Sequence, residues 1–421
     1  MKYFIPDWED RLDPKFDFAT DLYSRERAEA YDTDVYAHQI FRKAPYDGVL
    51  VSLATFDGGK LPLQKLRCGG FDLRGRKTIR GYLRLRRPLE VMGDCGAFTY
   101  VNDDRPPKKY STQRVASIYD KLRFDYGVSV DHMTVDFVVR RSKRGKLRKI
   151  KLAKEEQEER RQLSLRNAEA LLKYWRQKRY RFIPVGAAQG MSPDTYADSV
   201  DQLLQMGYRY IGLGTLIPRG DAEIISILEA VKDLMAKLPA PERLGLKLHL
   251  FGILRPKKLR EFEKLGVASL DSASYLRKAW LRAGQNYLTR GGHWYSAIRV
   301  PYSDNSRLLE NAKQAGISED RLKQMECDCL ESLARFERRR VGITSVVKTL
   351  LKYDELLLRD FDGNHHKQKY EATLRARPWE QCKCEICREL GIHVVIFRGC
   401  NRNKRRGFHN TKMFYDHILH G

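Results

Sequence analysis

Between residues 181 and 280 short apolar runs alternate with amphipathic stretches, and this alternation restricts the fold more than any other feature. The runs RFIPVGAAQG (181–190), YRYIGLGTL (208–216), LKLHLFGIL (246–254) and VASLDSAS (267–274) read as strands. Between them lie MSPDTYADSVDQLLQMG, GDAEIISILEAVKDLMAKL and RPKKLREFEKLG, which read as helices. Strands joined in turn by single helices run parallel. DGVLVSLATF (47–56), LEVMGDCGAF (89–98) and HMTVDFVV (132–139) extend the series toward the N-terminus. The pattern predicts an α/β fold, with a (β/α)8 barrel as the best fit and a doubly wound open sheet as the alternative. Gly212 and Gly214 hint at a dinucleotide loop, but no full G-x-G-x-x-G with a ribose-binding acid follows, so that reading is set aside.

A chain of 421 residues that is 42% hydrophobic can bury a full core. Its formal charge of +25, from 79 Lys and Arg against 54 Asp and Glu, points to a polyanionic partner, with nucleic acid the first choice. Two segments concentrate that charge, Arg140–Lys154 and Arg398–Arg406, and both are candidates for phosphate contact. The stretch 140–180 as a whole reads as a charged helical insertion. The acidic start of the chain has no leader pattern, and no run of about 18 apolar residues exists, so a cytoplasmic protein with no membrane association is expected. That cytoplasm is bacterial, or the host's if the chain is phage-encoded.

Near the C-terminus Cys382, Cys384 and Cys387 stand at C-x-C-x-x-C spacing. Thiolates and a neutral imidazole bind Zn2+ tetrahedrally, and four protein ligands make a closed, structural site. A compact knuckle can hold all three sulfurs. For the fourth position His409 competes with His393, Cys400 and His417. Cys327 and Cys329 have no further ligand nearby and read as ordinary cysteines.

Together these pieces resemble the tRNA-guanine transglycosylase superfamily, which is a (β/α)8 barrel with a zinc knuckle followed by a His-Asn pair. Here that pair is His409-Asn410, just before MFYDHI, and the match favours His409 as the fourth ligand. The barrel motifs occur in order: DCGAF (94–98) for D-S-G-G-F/Y, DHMTVDF (131–137) for the acid-bearing fourth strand, GAAQG (186–190) for G-x-x-Q-G, GTLIPRG (214–220) for G-G-L-x-x-G, FGIL (251–254) for M-G-V-G, and LDSAS (270–274) for the nucleophile stretch. The divergent N-terminal 50 residues and the region 290–378 set the chain apart from the tRNA enzymes and bring it closer to DpdA-type DNA-guanine transglycosylases. That branch implies a pentosyltransferase exchanging guanine in DNA for 7-cyano-7-deazaguanine (preQ0), with Zn2+ as its metal. The alternatives are the same chemistry on tRNA, or a catalytically degenerate zinc-containing nucleic-acid-binding protein. A homodimer or modification-system partner proteins are further candidates for its assembly.

Base exchange breaks and remakes one N-glycosidic bond through an oxocarbenium-like transition state, so it calls for a nucleophilic carboxylate and a second carboxyl group that moves a proton. The resemblance assigns Asp271 as nucleophile and Asp94 as general acid and base, both at strand ends. It assigns Phe98 and Phe251 to stacking on the base, Asp136 to its amino and ring N–H groups, and Gln189 with the backbone near Gly214 and Thr215 to its carbonyl. The glutamate that in bacterial tRNA enzymes follows G-G-L-x-x-G and serves an aminomethyl base is missing; Gly220, preceded by Arg219, holds that place, which fits a nitrile base. Ala97 replaces the second glycine of D-S-G-G. The expected layout is a catalytic barrel over 1–289, a helical region of unassigned role over 290–378, and a zinc-binding subdomain with a terminal helix over 379–421.

Overall fold

The structure, a computed structural model, describes residues 1–7, 10–27, 33–56, 78–141, 146–243, 245–281, 284–357 and 363–421. The chain divides into two compact units, Met1–Trp8 with Tyr46–Ala273, and Glu9–Pro45 with Ser274–Gly421.

The first unit is a closed barrel of eight parallel strands. In chain order its strands are β1 (Lys2–Pro6), β2 (Gly48–Ser52), β3 (Glu90–Asp94), β4 (Tyr126–Val128), β7 (Ile183–Ala188), β8 (Tyr210–Leu213), β9 (Lys247–Leu250) and β10 (Val267–Asp271). Closure comes from β1 pairing with both β10 and β2. Strands buried on both faces need apolar residues throughout, and β8 is buried at all four positions. Phe4, Leu50, Met92, Tyr126, Val185, Ala187 and Tyr210 fill the interior. The helices lie where the 3.6-residue period put them. Ser192 caps Pro193–Met206 by accepting from the Thr195 N–H, Pro193 sits in its first turn, and Gly207 ends it at φ +107°.

The stretch 140–180 is not helical throughout. β5 (Phe137–Arg141) and β6 (Leu147–Lys151) form an antiparallel hairpin, and a helix follows over Lys154–Lys178. That helix is the crossover from β4 to β7 and buries Leu165, Ala168, Leu171 and Leu172. The charge of the segment hid a period-two pattern: on one strand Val138 points inward between the exposed Phe137 and Val139.

The second unit is mainly helical, including Ser306–Gln314, Glu319–Glu337, Ile343–Leu357, Gly363–Ala376 and Gly399–Phe414. It corrects the expectation that Arg398–Arg406 contacts phosphate. Arg398, Arg402, Arg405 and Arg406 are all at most 4% exposed. Arg398 pairs with Asp21 and Glu326 and lies 3.8 Å over the Tyr302 ring. Arg406 donates to the carbonyls of Ala279, Val394 and Ile396. Arg406 has its buried N–H groups satisfied internally, by these backbone carbonyls and by Asn403 Oδ1. Among the described residues no helix is long and apolar enough to cross a membrane.

Candidate active site

Parallel strands in a barrel deliver their C-terminal ends to one rim, where the loops can converge. Asp94 closes β3, and Gly96 then turns the chain at φ +77° into a short helix over Ala97–Tyr100. A Cβ on Gly96 would lie 2.3 Å from Ser52 Oγ, so the turn excludes larger residues on two grounds. Asp94 is half-buried, but its Oδ1 is sealed and has no hydrogen-bond partner. Burial, then the negative charges of Asp131 and Asp271, push its carboxyl up to about 7.

Asp131 follows β4 and is buried. Its Oδ2 accepts from Gln189 Nε2 at 2.6 Å and its Oδ1 from the Cys95 thiol at 3.2 Å. Thr215 Oγ1 donates to Gln189 Oε1 at 2.6 Å, which fixes the amide's orientation. This network needs a glycine beside it: a Cβ on Gly214 would meet Gln189 Nε2 at 2.3 Å. Burial raises the Asp131 carboxyl above its ordinary range, against the lowering effect of the Cys95 and Gln189 hydrogen bonds.

Asp271 closes β10. Two donors converge on its Oδ1, the Gly252 N–H at 2.9 Å and His249 Nε2 at 3.1 Å. Oδ2 accepts no hydrogen bond from the described residues. His249 is fully buried at the end of β9, and its Nδ1 lies 2.7 Å from Ser269 Oγ, which is 2.5 Å from the Tyr210 hydroxyl. The chain of bonds has one consistent direction with a neutral imidazole: Tyr210 donates to Ser269, Ser269 to Nδ1, and Nε2–H to Asp271. Burial pushes the Tyr210 hydroxyl up to about 12, so it stays a donor. His249 was missed in the sequence because a single histidine in an apolar strand carries no local signal; its alternation in phase with Phe251 was the available clue.

The structure brings Asp94, Gln189, Thr215 and Asp271 together at this rim and places Asp131, not Asp136, among them. Asp136 is exposed at the foot of the β5–β6 hairpin, where its carbonyl accepts from the Leu152 N–H and its carboxylate from Gln157. The reason is register. Barrel strand β4 is Tyr126–Val128, upstream of the run expected to be the strand, so the acid at the rim is the earlier one. The Gly214 N–H is committed to the Ala188 carbonyl at 3.0 Å, and its own carbonyl to the Tyr196 hydroxyl. Phe251 is half-buried, edge-on to His249 with centroids 4.6 Å apart. Phe98 lies on the Ala97–Tyr100 turn, 74% exposed.

In the second unit Cys382, Cys384, Cys387 and His409 point their ligand atoms at one another, all within 4.8 Å. His409 Nε2 donates to the Leu288 carbonyl at 2.7 Å, which leaves the Nδ1 lone pair facing the sulfurs, 3.4 to 3.8 Å away. Tyr287 stacks on the imidazole at 4.2 Å, and the Cys387 N–H donates to Cys384 Sγ. Three thiols and a correctly presented imidazole fit a tetrahedral metal ion. Asn410 completes the staple, accepting from the Leu288 N–H and donating to the Asn286 carbonyl.

No protein-family model matches this chain. Over 425 aligned residues it is 36% identical to a DNA-guanine transglycosylase of Salmonella montevideo, with 99% of this chain and 96% of the relative covered.

The Asp94 environment has a measurable consequence. An aspartate held at about 7 in the folded chain, against 3.8 without the fold, binds its proton more tightly when folded. Stability is therefore lost as pH rises between those two values, and the full cost is present above about 7. Asp94→Asn removes the ionisation. Its thermal midpoint relative to wild type should be about 4 °C more favourable at pH 8 than at pH 5 in scanning calorimetry. Equal shifts at the two pH values would mean that Asp94 is not the perturbed group.

Proposed function

This chain belongs to the DNA-guanine transglycosylase family, and from that premise we propose that it replaces guanine in DNA by preQ0 through a covalent aspartyl intermediate. The observation that carries this reading is the convergence of Asp94, Asp131 and Asp271 on one barrel rim, one carboxyl with a sealed oxygen and pushed up to about 7 and another with a carboxylate oxygen left open.

In the first half-reaction Asp271 Oδ2 bonds to C1′ of the target nucleotide. The C1′–N9 bond breaks, its electron pair stays on guanine, and Asp94 gives the departing base a proton. In the second half the incoming base loses its N9 proton to Asp94, and N9 displaces the aspartyl ester at C1′. Oδ1, held by the Gly252 N–H and His249, keeps the carboxylate in one orientation and takes up charge again as the ester leaves. Asp131 takes the role first assigned to Asp136, accepting from the base's amino and ring N–H groups. Gln189, held by Thr215, orients it, and Phe251 offers a face for stacking.

The nitrile base is supported by the loop after β8. Gly220 caps the helix Asp221–Ala236 with open space around it, and Arg219 spends its charge on the Gly190 carbonyl and Glu223. No carboxylate at Gly220 answers an aminomethyl group. For the second unit we propose Zn2+, which when bound cross-links the cysteine knuckle to the helix carrying His409.

The test is release of labelled guanine from DNA and from total tRNA, at one salt concentration with excess preQ0. Release from DNA is expected; release from tRNA alone would transfer the reading to the other polymer. Asp271→Ala should abolish release with DNA binding kept within about threefold. His249→Phe, which keeps an aromatic ring but has no N–H, should slow turnover by about 100-fold, and His249→Gln, which restores an N–H donor, should recover most of it. Activity in Asp271→Ala within about tenfold of wild type would sink the covalent step.

Competition between preQ0 and its aminomethyl analogue should favour preQ0 in the DNA product, read by mass spectrometry of nucleosides; preference for the amine would overturn the nitrile assignment. Elemental analysis should find about one zinc per chain, and Cys384→Ala should lose the metal together with thermal stability. A metal-free, fully stable wild-type protein would remove zinc from the account.

A further inference from the structure

The β5–β6 hairpin leaves the barrel after β4, on the rim that carries the aspartates. Its register pairs Phe137 with Lys151, Val139 with Lys149 and Arg141 with Leu147. Residues directly opposite one another in an antiparallel pair share a face, and alternate residues along a strand share it too. These six side chains therefore line one face, and all six are exposed. Three are cations, three are apolar and none is acidic. Phe137 is 47% exposed and Leu147 is 67% exposed, with Lys149 Nζ lying 4.3 Å over the Phe137 ring.

The other face is anchored along β5, while Arg148 and Ile150 opposite it on β6 are exposed. Val138 is buried, and Arg140 pairs with Asp104 and Glu156. The Val139 N–H donates to Asn102 Oδ1 at 2.7 Å. Behind them Arg160 donates to the carbonyls of Val101, Asp103 and Met133, tying the foot of the hairpin to the loop that begins at Asp94 and carries Phe98. The ribbon is thus braced against the candidate site's own loop, while a mixed apolar and cationic face stays uncovered. Of the two basic segments in the sequence this is the one left on the surface, because Arg398–Arg406 is internal.

We propose that this face docks duplex DNA beside the target guanine, an inference that rests on the DNA-exchange reading above. A two-stranded ribbon fits the width of a major groove. Arg141, Lys149 and Lys151 meet phosphates, and Phe137, Val139 and Leu147 lie against sugars and base edges. Apolar side chains pressed on a base step favour its unstacking, which the target base must undergo before its C1′ can reach Asp271. A single strand has no groove to seat the ribbon and no paired base to part from, so the apolar half of the face acts chiefly on duplex substrate.

Two surface variants separate the contributions. Phe137→Ser/Val139→Ser/Leu147→Ser should lower guanine release from duplex DNA by about tenfold or more, with release from the same sequence as a single strand within about threefold. Arg141→Gln/Lys149→Gln/Lys151→Gln should flatten the slope of log affinity against log salt on duplex by about 2 to 3. Circular dichroism and metal content confirm that both variants fold. Equal losses on the two substrates, or no loss on either, would overturn the duplex assignment, and an unchanged salt slope would remove the ribbon from the DNA interface. If the wild type releases guanine from neither DNA, the exchange reading fails, and the salt slope on duplex still decides the ribbon.

Discussion

Like charges gathered at one rim are the constraint around which the barrel's top is arranged. Asp94, Asp131 and Asp271 come from three strands, and the charges on the latter two raise the first. Carboxylates brought this close out of water are unfavourable unless each is protonated or supplied with donors. The neighbouring residues meet that demand. Gln189 and Cys95 donate to Asp131, Thr215 orients Gln189, and His249 with the Gly252 N–H donates to Asp271. Gly214 has no side chain because Gln189 occupies the space one would need. Asp94 Oδ1 is buried and receives no donor, and the proton is the remaining way to neutralise it.

How much of this was legible differs by scale. The parallel barrel could be read because fully buried strands and capped helices leave long, repeated patterns, as at Ser192–Gly207 and Tyr210–Leu213. Asp94, Gln189 and Asp271 could be placed because each stands at the end of such a run. Asp131 and Asp136 could not be told apart by pattern: apolar residues alternate at Tyr126, Val128 and Val130 and alternate again, in the other phase, at Met133, Val135 and Phe137, so a strand-like run leads up to each acid. Only pairing settles it, since β4 is defined by partners in β3 and β7 and not by its own composition.

Charge was the least reliable guide. Arg398–Arg406 and the Arg140–Lys154 stretch look alike as strings of cations, yet one is interior and the other is surface. What separates them is the partner. Asp21 and Glu326 lie far from Arg398 in the chain, and the carbonyls that satisfy Arg406 carry no sequence signature at all. Spacing alone left the fourth position of the cysteine cluster open, and the family resemblance was what favoured His409, which the structure places there. The three cysteines declare themselves by local spacing, whereas His409 is selected by a helix that begins at Gly399 and by the Leu288 carbonyl that holds its far nitrogen.

The rim also shows how one residue type can serve two ends of the proposed exchange. Asp94 sits where donors are few and a proton is retained up to about 7, which suits a group that must release a proton to a departing base. Asp271 sits where two N–H groups fix one oxygen and leave the other open, which suits an anion that must attack along a single line. The division follows from strand position rather than from the aspartates themselves. β10 ends beside the β9 turn, where Gly252 at φ +68° presents its backbone N–H and His249 fills the barrel top. β3 ends beside β2, where Ser52 gives Asp94 a single side-chain hydroxyl. Because β1 separates β2 from β10 in the barrel, the two environments do not share donors. In the proposed exchange a substrate sugar placed between them would meet the Asp94 carboxyl on one side and the open Asp271 oxygen on the other.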